Sequence, residues 1–195
     1  SDGARGEIVT IVEKMSDTNI AKITSYLTFK LGDEEFAAHV SKVLNILELT
    51  KITEVPKSPN YMTGVINLRG SVLPVIDTRI KFGMTPTEFT PSTCIVVMDI
   101  DLEGESVHVG ALVDSVQAVI EIEHNQIMPP PSLGNKYRSE FIEGVANIND
   151  TFIMILNMDE VFSSEDLIDL TSKTLESEAL VKEGAETTAV AEANV

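Results

Sequence analysis

An internal repeat constrains the fold of this chain more than any other feature. Residues 64–77 (GVINLRGSVLPVID) align without a gap with residues 144–157 (GVANINDTFIMILN), an offset of 80. Upstream, residues 40–49 align with residues 113–122 at an offset of 73. Two hairpins can resemble each other by chance, but here the whole order of strand, Pro-rich bend, Gly-Val-x-Asn, turn and strand recurs. The pattern predicts a duplicated unit of about 60 to 70 residues, marginal alone and expected to pack against its twin.

The segments between the turn signals are typical of β-strands. They are about six residues long, with turns about every 8–12 residues, which indicates an all-β sandwich or barrel. The predicted strands are 26–31, 65–68, 72–77, 94–100, 107–113, 117–122, 144–148 and 152–157. Short helices are predicted at 59–63, 78–82 and 158–170.

The acidic composition excludes several classes of partner. The chain carries 31 Asp plus Glu against 14 Lys plus Arg, a net charge of −17. Nucleic acid is therefore not an expected partner, because its phosphates require clustered basic side chains. No apolar run approaches the roughly 18 residues of a membrane span, so direct membrane insertion is not expected. The single Cys94 excludes an internal disulfide and fits a reducing cytosol.

Both ends of the chain differ from its middle. Residues 1–22 show little pattern and are predicted to be an N-terminal extension. Residues 163–195 hold eight acids and two bases, and their last part lacks aromatic residues. We expect an acidic, solvated tail at 171–195 that follows the predicted terminal helix.

The two copies of the repeat differ most clearly at the hairpin turn. Copy one has Asn-Leu-Arg-Gly at 67–70, and copy two has Asn-Ile-Asn-Asp at 147–150. Both suit a tight turn, because Gly70 and Asn149 tolerate a positive φ. Only copy one has an arginine. Arg69 is either a solvated turn residue or an anchor for a partner through a bidentate or stacked contact.

No catalytic or metal-binding constellation stands out. His39, His108 and His124 lie on separate segments, none at metal-ligand spacing with another His or Cys. Residues 99–104 (DIDLEG) resemble the start of a calcium loop, but Gly110 stands at the twelfth position, which requires Glu. The nucleophile, zinc and phosphate-loop motifs of enzymes are also missing. We therefore expect no enzyme activity, no cofactor and no metal.

The residues of the repeat resemble a known family. The run GVINLRGSVLPVID at 64–77, preceded by GDEEFAAHVSKVLNIL at 32–47, is similar to the CheW-type coupling protein of bacterial chemotaxis. The similarity continues through VVMDIDLEGESVHVGALVDSVQAVIEI and FIEGVANINDTFIMILNMDEVF. It covers about residues 26–170, which is most of the chain.

The resemblance implies a specific architecture. Members of the family have two packed five-stranded SH3-like β-barrels with short connecting helices and a C-terminal helix. On this chain it implies a CheW-like domain at 23–170, with a first barrel at about 26–92, a second at about 93–157 and a terminal helix at 158–170.

The resemblance also implies a function and partners. The family is non-enzymatic and cytoplasmic, and it is recruited to membrane-associated receptor arrays. Its members couple the cytoplasmic tip of methyl-accepting chemoreceptors to the regulatory domain of the histidine kinase CheA. By position, the family's receptor-binding groove falls on Val43, Gly64, Asn67, Leu68 and Arg69, whereas the kinase-binding residues stay unassigned.

Two alternatives stay open at this point. One is an adaptor of the same fold that serves another chemosensory pathway, such as surface motility. The other is a β domain that binds a small ligand or calcium through the acidic loop at 99–104.

Overall fold

The computed structural model describes residues 22–130 and 139–162. This part of the chain contains eleven β-strands, two four-residue α-helices and three short 3₁₀ turns. The strands are β1 (Ile23–Leu31), β2 (Glu34–His39), β3 (Val43–Glu48), β4 (Met62–Leu68), β5 (Ser71–Asp77), β6 (Cys94–Leu102), β7 (Glu105–Val113), β8 (Ser115–Glu123), β9 (Ile127–Met128), β10 (Ile142–Ile148) and β11 (Thr151–Leu156). The helices are α1 (Thr78–Lys81) and α2 (Met158–Val161), and the 3₁₀ turns are Val40–Lys42, His124–Gln126 and Ser139–Phe141.

The strands form two sheets with the same internal order. Barrel A is the sheet β8-β1-β2-β11-β10-β9, and barrel B is the sheet β3-β6-β7-β5-β4. Each strand of barrel B has a counterpart at the same place in barrel A. The two-residue β9 corresponds to a single bridge in barrel B, between Thr53 and Val65. In both barrels one parallel pair, β2 with β11 or β7 with β5, joins two antiparallel hairpins.

Neither barrel is contiguous in sequence. β1 and β2 join the late strands β8–β11, whereas β6 and β7 join β3–β5. The predicted units 26–92 and 93–157 therefore do not coincide with the two sheets. Two short connections explain why each barrel takes strands from both halves of the chain. Only Val40–Lys42 separates β2 from β3, and only Asp114 separates β7 from β8. A parallel neighbour in the same sheet could be reached only through a crossover of about a dozen residues. Because these two connections are much shorter, the next strand lies in the other barrel.

Three apolar clusters hold this architecture together. The interior of barrel A contains Tyr26, Ala37, Ile122, Ala146, Ile153 and Ile155. The interior of barrel B contains Ile66, Leu73, Val75, Ile95, Val97 and Leu112. A larger cluster, here called the inter-barrel cluster, takes residues from both sheets, including Phe29, Phe36, Val65, Met98 and Val145. The pairs Ile66/Ala146, Leu73/Ile153 and Val75/Ile155 keep the offset of 80 in equivalent interiors, which supports the predicted duplication.

Most of the predicted elements are present. The all-β class with two barrels is confirmed, each predicted strand overlaps an observed one, and 78–82 overlaps α1. The helix predicted at 59–63 is wrong: this segment turns directly into β4, with the Met62 N–H donating to the Pro59 carbonyl at 3.0 Å. Of the predicted helix 158–170, the described part is α2. The predictions for 1–21 and 163–195 lie outside the described residues.

Candidate partner-binding surface

The turn between β4 and β5 is fixed by its backbone and by one side chain. Leu68 pairs with Ser71, so Arg69 and Gly70 form a two-residue loop with φ values of 52° and 84°. Two positive φ values define the type I′ turn that matches the twist of antiparallel strands. The Asn67 Oδ1 accepts a hydrogen bond from the Gly70 N–H at 2.9 Å, which ties the strand end to the turn.

The side chains of this turn point in different directions. Leu68 is half-buried and packs against the interior of barrel B. Asn67 and Arg69 are exposed. Within the described residues Arg69 has no ion pair or side-chain hydrogen bond, so its guanidinium can offer all of its donors to a partner.

The other described arginine has a different environment. Arg79 forms a bidentate contact with Asp114, with Nε and Nη2 donating at 2.9 and 2.7 Å. The hydrogen bond to Asp114 is the main cause that raises the pKa of the Arg79 guanidinium above its usual value. Because Arg79 is already paired, Arg69 is the better candidate for binding an acidic partner.

The charges of the two equivalent hairpins are opposite. The hairpin 62–76 contains Arg69 and no acidic residue, whereas the hairpin 142–156 contains Glu143 and Asp150 and no basic residue. An acidic partner would therefore be attracted to the turn of barrel B and repelled by the turn of barrel A.

Gly64 serves the packing within the chain. It is buried in β4 at the register shift between Met62 and Gly64. A Cβ at this position would overlap the backbone carbonyl oxygen of Thr53. The backbone of Thr53 occupies this space, and the two hydrogen bonds between Thr53 and Val65, 2.8 and 2.9 Å long, hold it there. The segment that packs closely against Gly64 is therefore part of this chain. Gly64 allows the backbone of Thr53 to lie against β4, the strand that leads into the turn.

Val43 lies on a different strand from the turn. β3 and β4 are at opposite ends of the strand order in barrel B, and Val43 pairs with Met98 of β6. Its half-buried side chain packs against the inter-barrel cluster. The five predicted residues therefore divide into an exposed pair, Asn67 and Arg69, and three residues that contribute mainly to packing.

The outward face of β3 was not identified from the sequence. Residues alternate along this strand, and Leu44 and Ile46 are 50% and 44% exposed beside Val43. The sequence does contain a signal for this exposed face. Residues 43–47 (VLNIL) place aliphatic side chains on both faces of the strand, which is unusual for a strand at the end of a sheet.

Nothing in the described residues adds catalytic or metal chemistry. No group of three or more His, Cys, Asp or Glu side chains in 22–130 and 139–162 is placed to hold a metal ion. The segment 99–104 forms the end of β6 and its turn, with Glu103 and Gly104 at positive φ. None of the helices in these ranges is long and apolar enough to cross a bilayer.

Two packed barrels, one of which carries an exposed arginine on its hairpin turn, make up the described part of the chain. Residues 25–166 match the model of the CheW-like domain, and the chain belongs to this family. The predicted resemblance to the chemotaxis coupling proteins is thereby confirmed.

Individual relatives agree with this assignment. The chain is 35% identical to the chemotaxis protein CheW of Rhizobium meliloti over 140 residues, which is 72% of this chain and 88% of that protein. It is 29% identical to the protein FrzA of Myxococcus xanthus over 141 residues, 71% of this chain and 85% of FrzA. The crystal structure of the scaffolding protein TtCheW from Thermoanaerobacter tengcongensis matches 76% of this chain and 93% of that chain. Its TM-score is 0.65 at 29% identity.

Proposed function

We propose that this protein is a non-catalytic adaptor that joins the cytoplasmic tip of chemoreceptors to the histidine kinase CheA. Membership of the CheW-like family and similarity to a protein described as a scaffold support this role. Through these partners the protein would be recruited from the cytoplasm to membrane-associated receptor arrays.

Arg69 is the observation that carries the proposal. A receptor tip is a helical hairpin that offers carboxylates and apolar side chains. A guanidinium held on a type I′ turn can form paired hydrogen bonds with a carboxylate, because its planar donors match the two oxygens. Asn67 would act with it by holding the turn in shape.

Packing residues would complete the receptor-binding surface. Leu68 anchors the turn to the barrel interior, and Gly64 allows β4 to lie against Thr53. The exposed Leu44 and Ile46 of β3 would provide the aliphatic part of the groove, and Val43 would hold this strand against the inter-barrel cluster.

The experiment is a pulldown with a receptor-tip fragment and with CheA, using Arg69→Glu. We expect receptor binding to weaken by about 10- to 100-fold, because a charge-assisted hydrogen bond is replaced by repulsion. Binding of CheA should be retained, since the kinase is expected to use other surfaces.

The twin turn provides the matched control. Asn149→Glu introduces the same side chain at nearly the same φ, 51°, in barrel A. It should leave receptor binding unchanged. Retention of receptor by Arg69→Glu at the wild-type level would exclude Arg69 from the interface.

The second candidate is an adaptor of the same fold in another chemosensory pathway. The similarity to FrzA, a relative that carries a different name from the CheW proteins, favours this possibility. Identification of the receptors that copurify with the protein from its own cells distinguishes the two pathways.

A calcium-binding function is the third and weakest candidate. It depends only on the acidic residues at 99–104, which form a hairpin. A calorimetric titration with calcium should release no heat of binding, and saturable heat at micromolar calcium would reopen this possibility.

A further inference from the structure

Two ion pairs connect the barrels at related places. Arg79 of α1 contacts Asp114 at 2.7 Å, and Lys42 contacts Asp159 of α2 at 2.8 Å. In each pair one partner lies on the helix that follows a hairpin, and the other lies on the short crossover between the barrels. The two pairs are here called latch one (Arg79–Asp114) and latch two (Lys42–Asp159).

The latches occupy equivalent positions in the repeat. Arg79 and Asp159 are each the second residue of their helix and are separated by 80 residues, the offset of the repeated hairpins. The other offset, 73, places Asp114 opposite residue 41, next to Lys42. The polarity is inverted: latch one has its cation on the helix, and latch two has its cation on the crossover.

Each latch also binds a hairpin that lies beside it. In latch one the Asp114 Oδ2 accepts a hydrogen bond from the Gly32 N–H, at the turn between β1 and β2, at 2.6 Å. In latch two the Asp159 Oδ1 accepts one from the Asp101 N–H, near the end of β6, at 2.9 Å. Gly32 belongs to barrel A while α1 follows barrel B, and Asp101 belongs to barrel B while α2 follows barrel A. Each latch therefore joins both barrels at one carboxylate.

Latch one has the more extensive set of contacts. Arg79 donates twice to Asp114 and also contacts the Thr85 Oγ1 at 3.4 Å. Asp77, immediately before α1, accepts hydrogen bonds from the N–H and the hydroxyl of Thr87 at 2.9 and 2.8 Å. These contacts fasten the loop after α1, so latch one should restrict motion more than latch two.

We propose that the two latches are positioning contacts that set the relative orientation of the barrels, and that their inverted polarity permits only the native pairing of helix with crossover. The inter-barrel cluster supplies most of the attraction, but apolar burial has no preferred direction. Hydrogen-bonded ion pairs are directional, and specifying register is the best-attested use of partly buried charges. If the two helices exchanged places, Arg79 would meet Lys42 and Asp159 would meet Asp114, and both contacts would be repulsive.

The test exchanges charges without changing their number. The helix-exchange variant combines Arg79→Asp with Asp159→Arg and makes both latches repulsive. The full-exchange variant adds Asp114→Lys and Lys42→Asp and makes both attractive again with inverted polarity. Neither variant changes the net charge of the protein from which it is made. Spin labels at Glu48→Cys in barrel B and Thr151→Cys in barrel A, in a Cys94→Ser background, report the inter-barrel distance by pulsed EPR.

We expect a narrow distance distribution for the parent protein and a broader or shifted one for the helix-exchange variant. The full-exchange variant should recover part of the narrow distribution, because a lysine at position 114 cannot accept the Gly32 N–H. A purely stabilising role would lower the melting temperature and leave the distance unchanged well below it. An unchanged distance in the helix-exchange variant, or no recovery in the full-exchange variant, would overturn the proposal.

Single substitutions keep the proposal testable if the helix-exchange variant does not fold. Asp114→Asn and Lys42→Met each remove one charge, and Lys51→Met removes an exposed lysine that belongs to neither latch. The distance distribution should broaden more for Asp114→Asn than for Lys42→Met and should not change for Lys51→Met. Parent-like distributions in both latch variants would contradict the proposal.

Discussion

The two hairpin turns have the same backbone and different chemistry. Arg69-Gly70 in barrel B and Asn149-Asp150 in barrel A are both two-residue turns with positive φ at each position. Asn and Asp tolerate this conformation well, whereas arginine adopts it less readily. Barrel A therefore has residues that suit the turn, whereas barrel B has an arginine that suits it less well.

This difference shows what duplication contributes to a binding protein. The fold places a tight turn in each barrel, and the proposed function uses only the turn of barrel B. Barrel B carries an exposed guanidinium that has no ion pair within the described residues, at a small cost in stability, while its twin keeps an acidic hairpin.

The largest expected effect is on the two buried glycines. Gly64→Ala should lower the free energy of unfolding by about 2–4 kcal/mol, because the new Cβ would overlap the fixed carbonyl of Thr53. Gly144→Ala should cost about 1–3 kcal/mol, since its Cβ would lie 2.8 Å from the Met128 oxygen and otherwise meet the side chain of Ile127. Urea denaturation measures both. Equal or reversed costs would contradict the closer backbone contact at Gly64.

The next effect concerns the asparagine before each turn. Asn67→Ala removes the hydrogen bond to the Gly70 N–H and should cost about 1 kcal/mol. Asn147→Ala should cost less, because the side chain of Asn147 has no hydrogen bond within the described residues. Thermal unfolding of both variants decides the point, and equal losses would show that Asn67 has no special role at its turn.

A third pair lies at the start of the two helices. Thr78 is completely buried, and its hydroxyl has no hydrogen-bond partner in the described part of the chain. The equivalent residue at an offset of 80 is the apolar Met158. Thr78→Val should therefore raise the free energy of unfolding by up to about 1 kcal/mol. A loss of stability in denaturant titration would mean that the hydroxyl does have a partner.

The smallest effect is on the turn of barrel B itself. Arg69→Asn gives this turn the residue of its twin and should raise the free energy of unfolding by a few tenths of a kcal/mol, about the difference expected at a positive φ. The measurement is differential scanning calorimetry against Asn149→Arg, which should show a small loss. A clear loss for Arg69→Asn would indicate that Arg69 contributes to the stability of the fold.

The fold could be predicted from the sequence because its signals are local. The repeat GVINLRG/GVANIND, the alternating apolar residues and the turn residues identify the hairpins and their duplication. The exchange of hairpins between the barrels could not be predicted from these local signals. It depends on how short the connections Val40–Lys42 and Asp114 are, and their lengths follow only from the exact ends of the strands.

The candidate site was predicted only in part. Arg69 was recognisable because its twin position holds Asn149. The role of Gly64 in accommodating Thr53 and the exposed face of Leu44 and Ile46 depend on contacts between distant segments, which a sequence pattern does not contain.

Calorimetric titration of a soluble receptor-tip fragment into four proteins measures how much Arg69 contributes to receptor binding. The proteins are the parent, Arg69→Lys, Arg69→Asn and Asn149→Arg. We predict that affinity falls from the parent to Arg69→Lys, which keeps the charge without the planar donors, and falls by about 10-fold or more in Arg69→Asn. Asn149→Arg should bind like the parent. Parent-like affinity in Arg69→Asn would contradict the claim that the turn of barrel B binds the receptor.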